Sequence, residues 1–247
     1  MSPSENKRAV TVIDHFDRVE IINMTSRLDR RRETEAEFAQ HGFPINTEKS
    51  RFFPAITPQD AACFPNRGVR GCFLSHLNVL ASARDDQLRH ILVLEDDISF
   101  SSTIKTLGAQ AVAALEGVDW DIAYLGHALD NLPGQPEWLP VTSPMLLAHC
   151  YAINGRTLTR LVGFLEQVLQ RPPGHPEGGP MHYDGALNTF IQQNPQIKAY
   201  YFSKNLGYQR PSRTDLHEVS IIDRSLVLRQ FAGLYRAAKR AYLKLRR

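Results

Sequence analysis

The chain has 247 residues, 43% of them hydrophobic and 22% charged. That length can bury a substantial core in one large domain, and the composition excludes disordered, collagen-like and coiled-coil chains. The net charge of +3 conceals an uneven distribution: residues 224–247 carry eight basic side chains and no acidic one, leaving 21 basic against 26 acidic over 1–223, a net of −5. Cys63, Cys72 and Cys150 are few, odd in number and without metal-type spacing, which points to a reducing compartment and to small buried thiols. Met1 to Arg8 is polar with no apolar run after it, so no secretory leader is expected, and no stretch has the length of a membrane span. A cytoplasmic protein is expected, soluble or peripheral on the inner face of the cytoplasmic membrane.

In chain order, Val19–Met24 predicts a first strand, and Asp29 an N-cap for a helix running to about Gln40 and stopped by Gly42 and Pro44. The apolar stripe Phe73, Leu74, Leu77 and Leu80 predicts a helix over about 71–83. Ile91–Leu94 is the continuous apolar run of a central strand covered on both faces, and a helix over about 103–115 follows. Strands are predicted at 121–125, closed by Gly126, and at 145–153, with Asn154 capping the next helix. The Pro- and Gly-rich stretch 171–180 is a loop, followed by a helix over about 183–192 and a strand near 197–202. Alternating strands and helices predict an α/β sandwich whose strand ends carry the chemistry.

The strongest chemical signal is Glu95-Asp96-Asp97 at the end of the Ile91–Leu94 run. Three adjacent carboxylates repel one another, so burying that strand end needs compensating charge. A hard divalent cation supplies it and can share its shell with substrate phosphates. If the strand continues, alternation puts Glu95 and Asp97 on one side and Asp96 on the other. A solvated acidic turn would carry the same residues.

Three segments together resemble glycosyltransferase family 25, which contains bacterial lipopolysaccharide and lipooligosaccharide glycosyltransferases and has procollagen galactosyltransferases as relatives. They are Ile21–Arg30, with its Asn and Arg-x-Asp-Arg turn, then Gly71-Cys-Phe-Leu-Ser-His76, then Ile91–Asp97. The resemblance spans about residues 18–215, and its most specific part is the Gly-Cys-x-x-Ser-His block followed by Leu-Glu-Asp-Asp. It implies a GT-A-like, Rossmann-type sandwich with a mixed, mostly parallel central sheet. It also implies a metal and diphosphate site at Glu95, Asp96 and Asp97, with Mn²⁺ or Mg²⁺ as cofactor. Asn23, Arg27 and Arg30 match the first motif, where an Arg pair can grip diphosphate oxygens; Arg30 and Arg31 on an exposed helix start is the alternative. Ser75 and His76 match the second motif on the donor side, although a helical His is also often a packing residue. Phe73 stands where the family has a small residue.

His182-Tyr-Asp-Gly185 resembles a later family segment and makes Asp184 the candidate base, with a helix N-cap as its alternative role. Gln209, Arg210 and Ser212 match the family's terminal Gln…Ser stretch beside the donor, and His217 lies where a C-terminal metal ligand is expected. The implied reaction is an inverting, metal-assisted transfer from a UDP-sugar to a glycan acceptor of a lipopolysaccharide or similar glycoconjugate, galactose being the family's commonest sugar. Two other functions fit a strand-end carboxylate trio: a metal-dependent nucleotidyltransferase or phosphohydrolase, and an inactive transferase-like binding protein.

The organisation expected is an extension over 1–17, a catalytic domain over 18–223 and a basic amphipathic helix over 224–247. In the last segment Val227, Phe231, Leu234, Ala238, Ala241 and Leu245 recur at helical spacing. That helix can dock on the body or meet an anionic membrane surface near a lipid-linked acceptor. No recognised nucleic-acid module accompanies the charge, so no nucleic-acid partner is expected.

Overall fold

The Ile91–Leu94 run lies in an interior strand of a seven-stranded sheet in the computed structural model, which describes residues 11–210. Ser212, His217 and the 224–247 stretch lie outside the described residues. The chain opens with α1 (Val12–His15), β1 (Arg18–Asn23), α2 (Leu28–His41), β2 (Ser50–Pro54), α3 (Arg67–Asp85) and β3 (His90–Glu95). It continues through β4 (Ile98–Phe100), α4 (Ile104–Glu116), β5 (Ile122–Tyr124), β6 (Trp138–Pro140), β7 (Cys150–Asn154) and α5 (Gly155–Gln170). It closes with α6 (Tyr183–Gln193), β8 (Ala199–Phe202) and β9 (Gly207–Gln209).

The main sheet has the order β2-β1-β3-β7-β5-β8-β6. Pairing is parallel except at β7 and β6, which run against their neighbours, so five of the seven strands share one direction. The fold is therefore the α/β sandwich that the alternation of elements predicts, with the mixed, mostly parallel sheet that the resemblance implies. A separate antiparallel ribbon joins β4 to β9.

Side-chain alternation along β3 explains why both sheet faces are covered. Ile91 and Val93 pack with Leu77, Leu80, Leu161 and Phe190 of α3, α5 and α6. Leu92 and Leu94 pack on the other face with Phe38, Ala111 and Leu115 of α2 and α4. Each such side chain, fully buried, contributes about 1.5–3 kcal/mol of transfer free energy. Val12, Ile13 and Phe16, inside the expected 1–17 extension, are buried in this second cluster.

Several local expectations change. Asp29 is not the N-cap of α2; Arg27 occupies that position, and Asp29 sits in the first turn, where its carboxylate accepts the Arg27 guanidinium at 2.8–3.3 Å. Helix α3 starts earlier than predicted, with Asn66 Oδ1 accepting from Val69 N at 2.9 Å. The strand expected over 145–153 is confined to β7. Residues 145–149 leave the ladder because the Asn188 amide satisfies the Met145 backbone N–H and carbonyl, at 2.8 and 2.7 Å, and because Leu147 takes φ +69°. Cys150 is buried as expected, whereas Cys63 and Cys72 are exposed. Among the described residues no helix is long and apolar enough to cross a membrane.

The expected cap at Asn154 is present, its Oδ1 accepting from Arg156 N at 3.3 Å. The next residue, Gly155, opens α5 with its N–H on Arg89 O at 2.7 Å. A Cβ there would lie 2.0 Å from Leu88 O, a backbone atom that cannot swing aside. Gly155→Ala should therefore cost about 1–3 kcal/mol, measurable as a drop of several degrees in melting temperature. An unchanged melting temperature would contradict the close approach.

Candidate active site

The acidic cluster sits where one sheet ends and another begins. Glu95 is the last residue of β3, paired with Ile22 of β1, and Ile98 starts β4. The strand does not continue through the carboxylates, so Glu95 and Asp97 do not alternate with Asp96 as expected. Asp96 and Asp97 instead form a turn. Asp96, 5% exposed, accepts Arg30 Nη1 on Oδ1 at 2.7 Å and Asn23 Nδ2 on Oδ2 at 2.8 Å. Its carbonyl accepts Thr34 Oγ1 at 2.7 Å, which ties α2 to the turn.

Asp97 is less well compensated. At 7% exposure, its Oδ2 accepts Gln209 Nε2 at 3.3 Å and lies 3.6 Å from Arg30 Nη1. Its Oδ1 is buried with no hydrogen-bond partner among the described residues. Burial, then the neighbouring charge of Glu95, outweigh Arg30 and push the Asp97 carboxyl up to about 7.

Glu95 anchors a line of hydrogen bonds into the core. His76, 1% exposed, donates from Nε2 to Glu95 Oε1 at 3.3 Å, and its Nδ1 lies 2.9 Å from the Tyr151 hydroxyl. Tyr151 in turn donates to the Tyr183 hydroxyl at 2.8 Å. The Tyr183 ring stacks on His76 with centroids 4.0 Å apart and planes 6° from parallel, fixing the imidazole. Burial disfavours the Glu95 charge, but the hydrogen bond and charge of His76, with His149 and Arg30 behind them, hold Glu95 below its ordinary value.

Asp184 lies in the first turn of α6, one residue beyond Tyr183; His182, not Asp184, is the N-cap. The Asp184 carboxylate accepts Leu147 N on Oδ2 at 3.2 Å and Gly185 N on Oδ1 at 2.8 Å. Leu147 holds that N–H from the left-handed region, a strained conformation for a leucine. Cys72 is exposed as a residue while its sulfur faces Glu95, Asp184 and Asp97 from a crowded position, and that crowding and then these carboxylates push the thiol well above its usual value. Four groups from α3, the β3 end, the acidic turn and α6 therefore share one neighbourhood.

The structure thus gathers Asn23, Arg30, His76, Glu95, Asp96, Asp97, Asp184 and Gln209. It sets two expected donor contacts apart. Arg27 is taken by Asp29 on the exposed start of α2. Ser75 is fully buried, donating to Gly71 O at 2.7 Å and accepting Ile56 N at 2.8 Å, so its hydroxyl is spent on backbone that holds the loop after β2. Arg30 grips carboxylates where a diphosphate was expected. Ser212 and His217 lie outside the described residues. Residues not foreseen are Cys72, Tyr151, Tyr183 and His149; Cys72 and Tyr183 sit inside the motifs already noted. His149 donates from Nε2 to Gly207 O at 3.0 Å, its Nδ1 is buried without a partner, and burial lowers its basicity. A depression of about 770 Å³ among Arg160, Phe164, Arg171 and Phe190 contains none of these groups.

Residues 66–132 match the family model described as glycosyltransferase family 25 (LPS biosynthesis protein). Over that segment the chain is similar to glycosyltransferase family 25. Human procollagen galactosyltransferase 2 is 24% identical over 231 residues, covering 83% of this chain and 36% of that protein. A Drosophila melanogaster glycosyltransferase 25 family member is 30% identical over 129 residues, covering 45% and 21%. Human inactive glycosyltransferase 25 family member 3 is 25% identical over 218 residues, covering 77% and 35%. The chain spans about a third or less of the length of these curated relatives. The matched segment contains the α3 motif and the acidic turn, so His76, Glu95, Asp96 and Asp97 fall within it.

Proposed function

We propose that this chain is an active glycosyltransferase that moves a sugar from a UDP-sugar to a hydroxyl of a glycan acceptor, such as that of a lipopolysaccharide or similar glycoconjugate, with inversion. The observation that carries the proposal is Asp97: a buried carboxylate oxygen without a partner among the described residues, in a group pushed up to about 7 beside two further carboxylates. Such a turn is short of positive charge. A hard divalent cation fits it, because Mg²⁺ and Mn²⁺ are held by one or two carboxylates together with substrate phosphates. Asp97, with Glu95, would hold that ion, and it would supply charge stabilisation for the departing nucleotide diphosphate.

The chain's own residues divide the remaining work. Arg30 and Asn23 fix Asp96, and through it the turn, so that Asp97 stays in place when the donor arrives. His76, locked by Tyr151 and Tyr183, orients Glu95. Asp184 takes the proton of the attacking hydroxyl on a carboxylate oxygen, and the two backbone N–H groups that it accepts keep it aimed. Galactose is the sugar to test first, because one of the named relatives is a procollagen galactosyltransferase. An inactive relative keeps a binding-only function in view; the intact acidic turn favours catalysis.

A panel of UDP-sugars, assayed with Mn²⁺ or Mg²⁺ and again with chelator, tests the proposal. Release of UDP with sugar transfer or hydrolysis, lost on chelation, is the expected result. Release of UMP and sugar phosphate would assign a phosphohydrolase instead. Metal-dependent UDP binding in calorimetry without turnover would assign a binding protein.

A further inference from the structure

We infer that Cys72, His76 and Glu95 form a binding site for a thiophilic divalent cation of the Zn²⁺ type, distinct in chemistry from the oxygen-only carboxylates of the acidic turn. Cys72 and His76 stand four residues apart on α3 and so project to the same side, and Glu95 meets them from the end of β3. One ligand atom from each residue, a thiol sulfur, a ring nitrogen and a carboxylate oxygen, lies within 4.8 Å of the other two. Zinc with bonds of about 2.0–2.3 Å holds tetrahedral ligands about 3.3–3.8 Å apart. His76 Nε2 and Glu95 Oε1 are already 3.3 Å apart, so side-chain adjustment at Cys72 completes the set.

Three further features fit an ion here. Metal-bound histidines are fixed through their second nitrogen, and His76 Nδ1 lies 2.9 Å from the Tyr151 hydroxyl while Tyr183 clamps the ring face. Cys72 is exposed, which gives an ion a way in. The negative charges of Asp97 and Asp184 act at the Cys72 sulfur together with that of Glu95, a field that draws a cation. The mixed sulfur, nitrogen and oxygen donors favour Zn²⁺, Co²⁺ or Cd²⁺ over Mg²⁺. On binding, the thiol proton and the Nε2 proton pass to solvent. Three protein ligands leave one position for solvent or substrate, the pattern of catalytic rather than structural zinc. One consequence rests on the transferase proposal: an ion held here takes Glu95 away from the acidic turn.

The test uses tag-free full-length protein with no sugar donor present, so its outcome is independent of transfer activity. Titration with Co²⁺ should give one equivalent of bound ion with a sulfur-to-cobalt charge-transfer band. One equivalent of Zn²⁺ should displace it, and excess Mg²⁺ should not. Cys72→Ser, an exposed and nearly isosteric change, should remove the band, whereas Cys63→Ser at the other exposed thiol should retain it. His76→Gln should weaken Zn²⁺ binding at least about tenfold. A Co²⁺ complex without a thiolate band, or a band that survives Cys72→Ser or disappears in Cys63→Ser, would overturn the assignment.

Discussion

Asp97→Asn is expected to lower donor turnover by about 10²-fold or more, because charge stabilisation of a departing diphosphate supplies several kcal/mol and each 1.36 kcal/mol is tenfold. The same substitution should change how stability depends on pH, which separates a loss of function from a loss of fold. The Asp97 carboxyl is raised to about 7, so between the ordinary carboxylate range and about 7 the native state keeps a proton that the unfolded chain has released. Stability contributed by that proton is complete below the unfolded value and is lost as pH rises through about 7. Glu95 acts with the opposite sign: its lowered value contributes stability above the ordinary glutamate range that is lost in acid. Melting temperatures of the wild type should therefore fall as pH rises from about 5 to about 7 and level off above it, and Asp97→Asn should flatten that limb. Added Mn²⁺ should raise the wild-type melting temperature more at pH 8 than at pH 6. Parallel wild-type and variant curves, or full activity in the variant, would remove Asp97 from the site.

Asp184→Asn should reduce kcat by about 10²–10⁴-fold while changing the donor KM only a few-fold, since general bases contribute in that range and Asp184 acts on the acceptor hydroxyl. The carboxylate is held from two sides, by Leu147 N–H and Gly185 N–H. An amide can accept only one of these through oxygen and faces the other with its NH₂ group. The cost to stability is about 1 kcal/mol, so folded protein should be recovered and its melting temperature measured beside the kinetics. The result that would return Asp184 to a helix-start role is a wild-type kcat accompanied by that small loss of stability.

How much of this was legible in the sequence depended on the range of the interaction. Ile91–Leu94 announced a two-sided central strand because its apolar run has no polar phase, and β3 does pack on both faces. The start of α2 was misplaced because Asp29 was read as its cap, whereas in the first turn its carboxylate pairs with Arg27. Strands β2, β6 and β9 have three to five residues and draw their definition from partners, a signal that no local period carries. At the site, the acidic trio and His76 were visible as residue types in order. What neutralises them was not: Arg30, expected on a phosphate, belongs to Asp96 across 66 positions of sequence. Tyr151 lies 75 positions from His76, and nothing near either residue in the chain announces their hydrogen bond.

The acidic turn is two residues long between two hydrogen-bonded ladders. Glu95 is zipped to Ile22 in the main sheet, and Ile98 is paired with Gln209 in the ribbon. Its carboxylates are therefore set at a span gauged by backbone, like the jaws of a fixed caliper. Widening them for a larger ion would require unzipping ladder pairs, and lengthening Asp97 to glutamate would push a carboxylate into the span rather than across it. If the proposed ion binds at this turn, selection among oxygen-loving ions would be a matter of radius, decided when the chain folds.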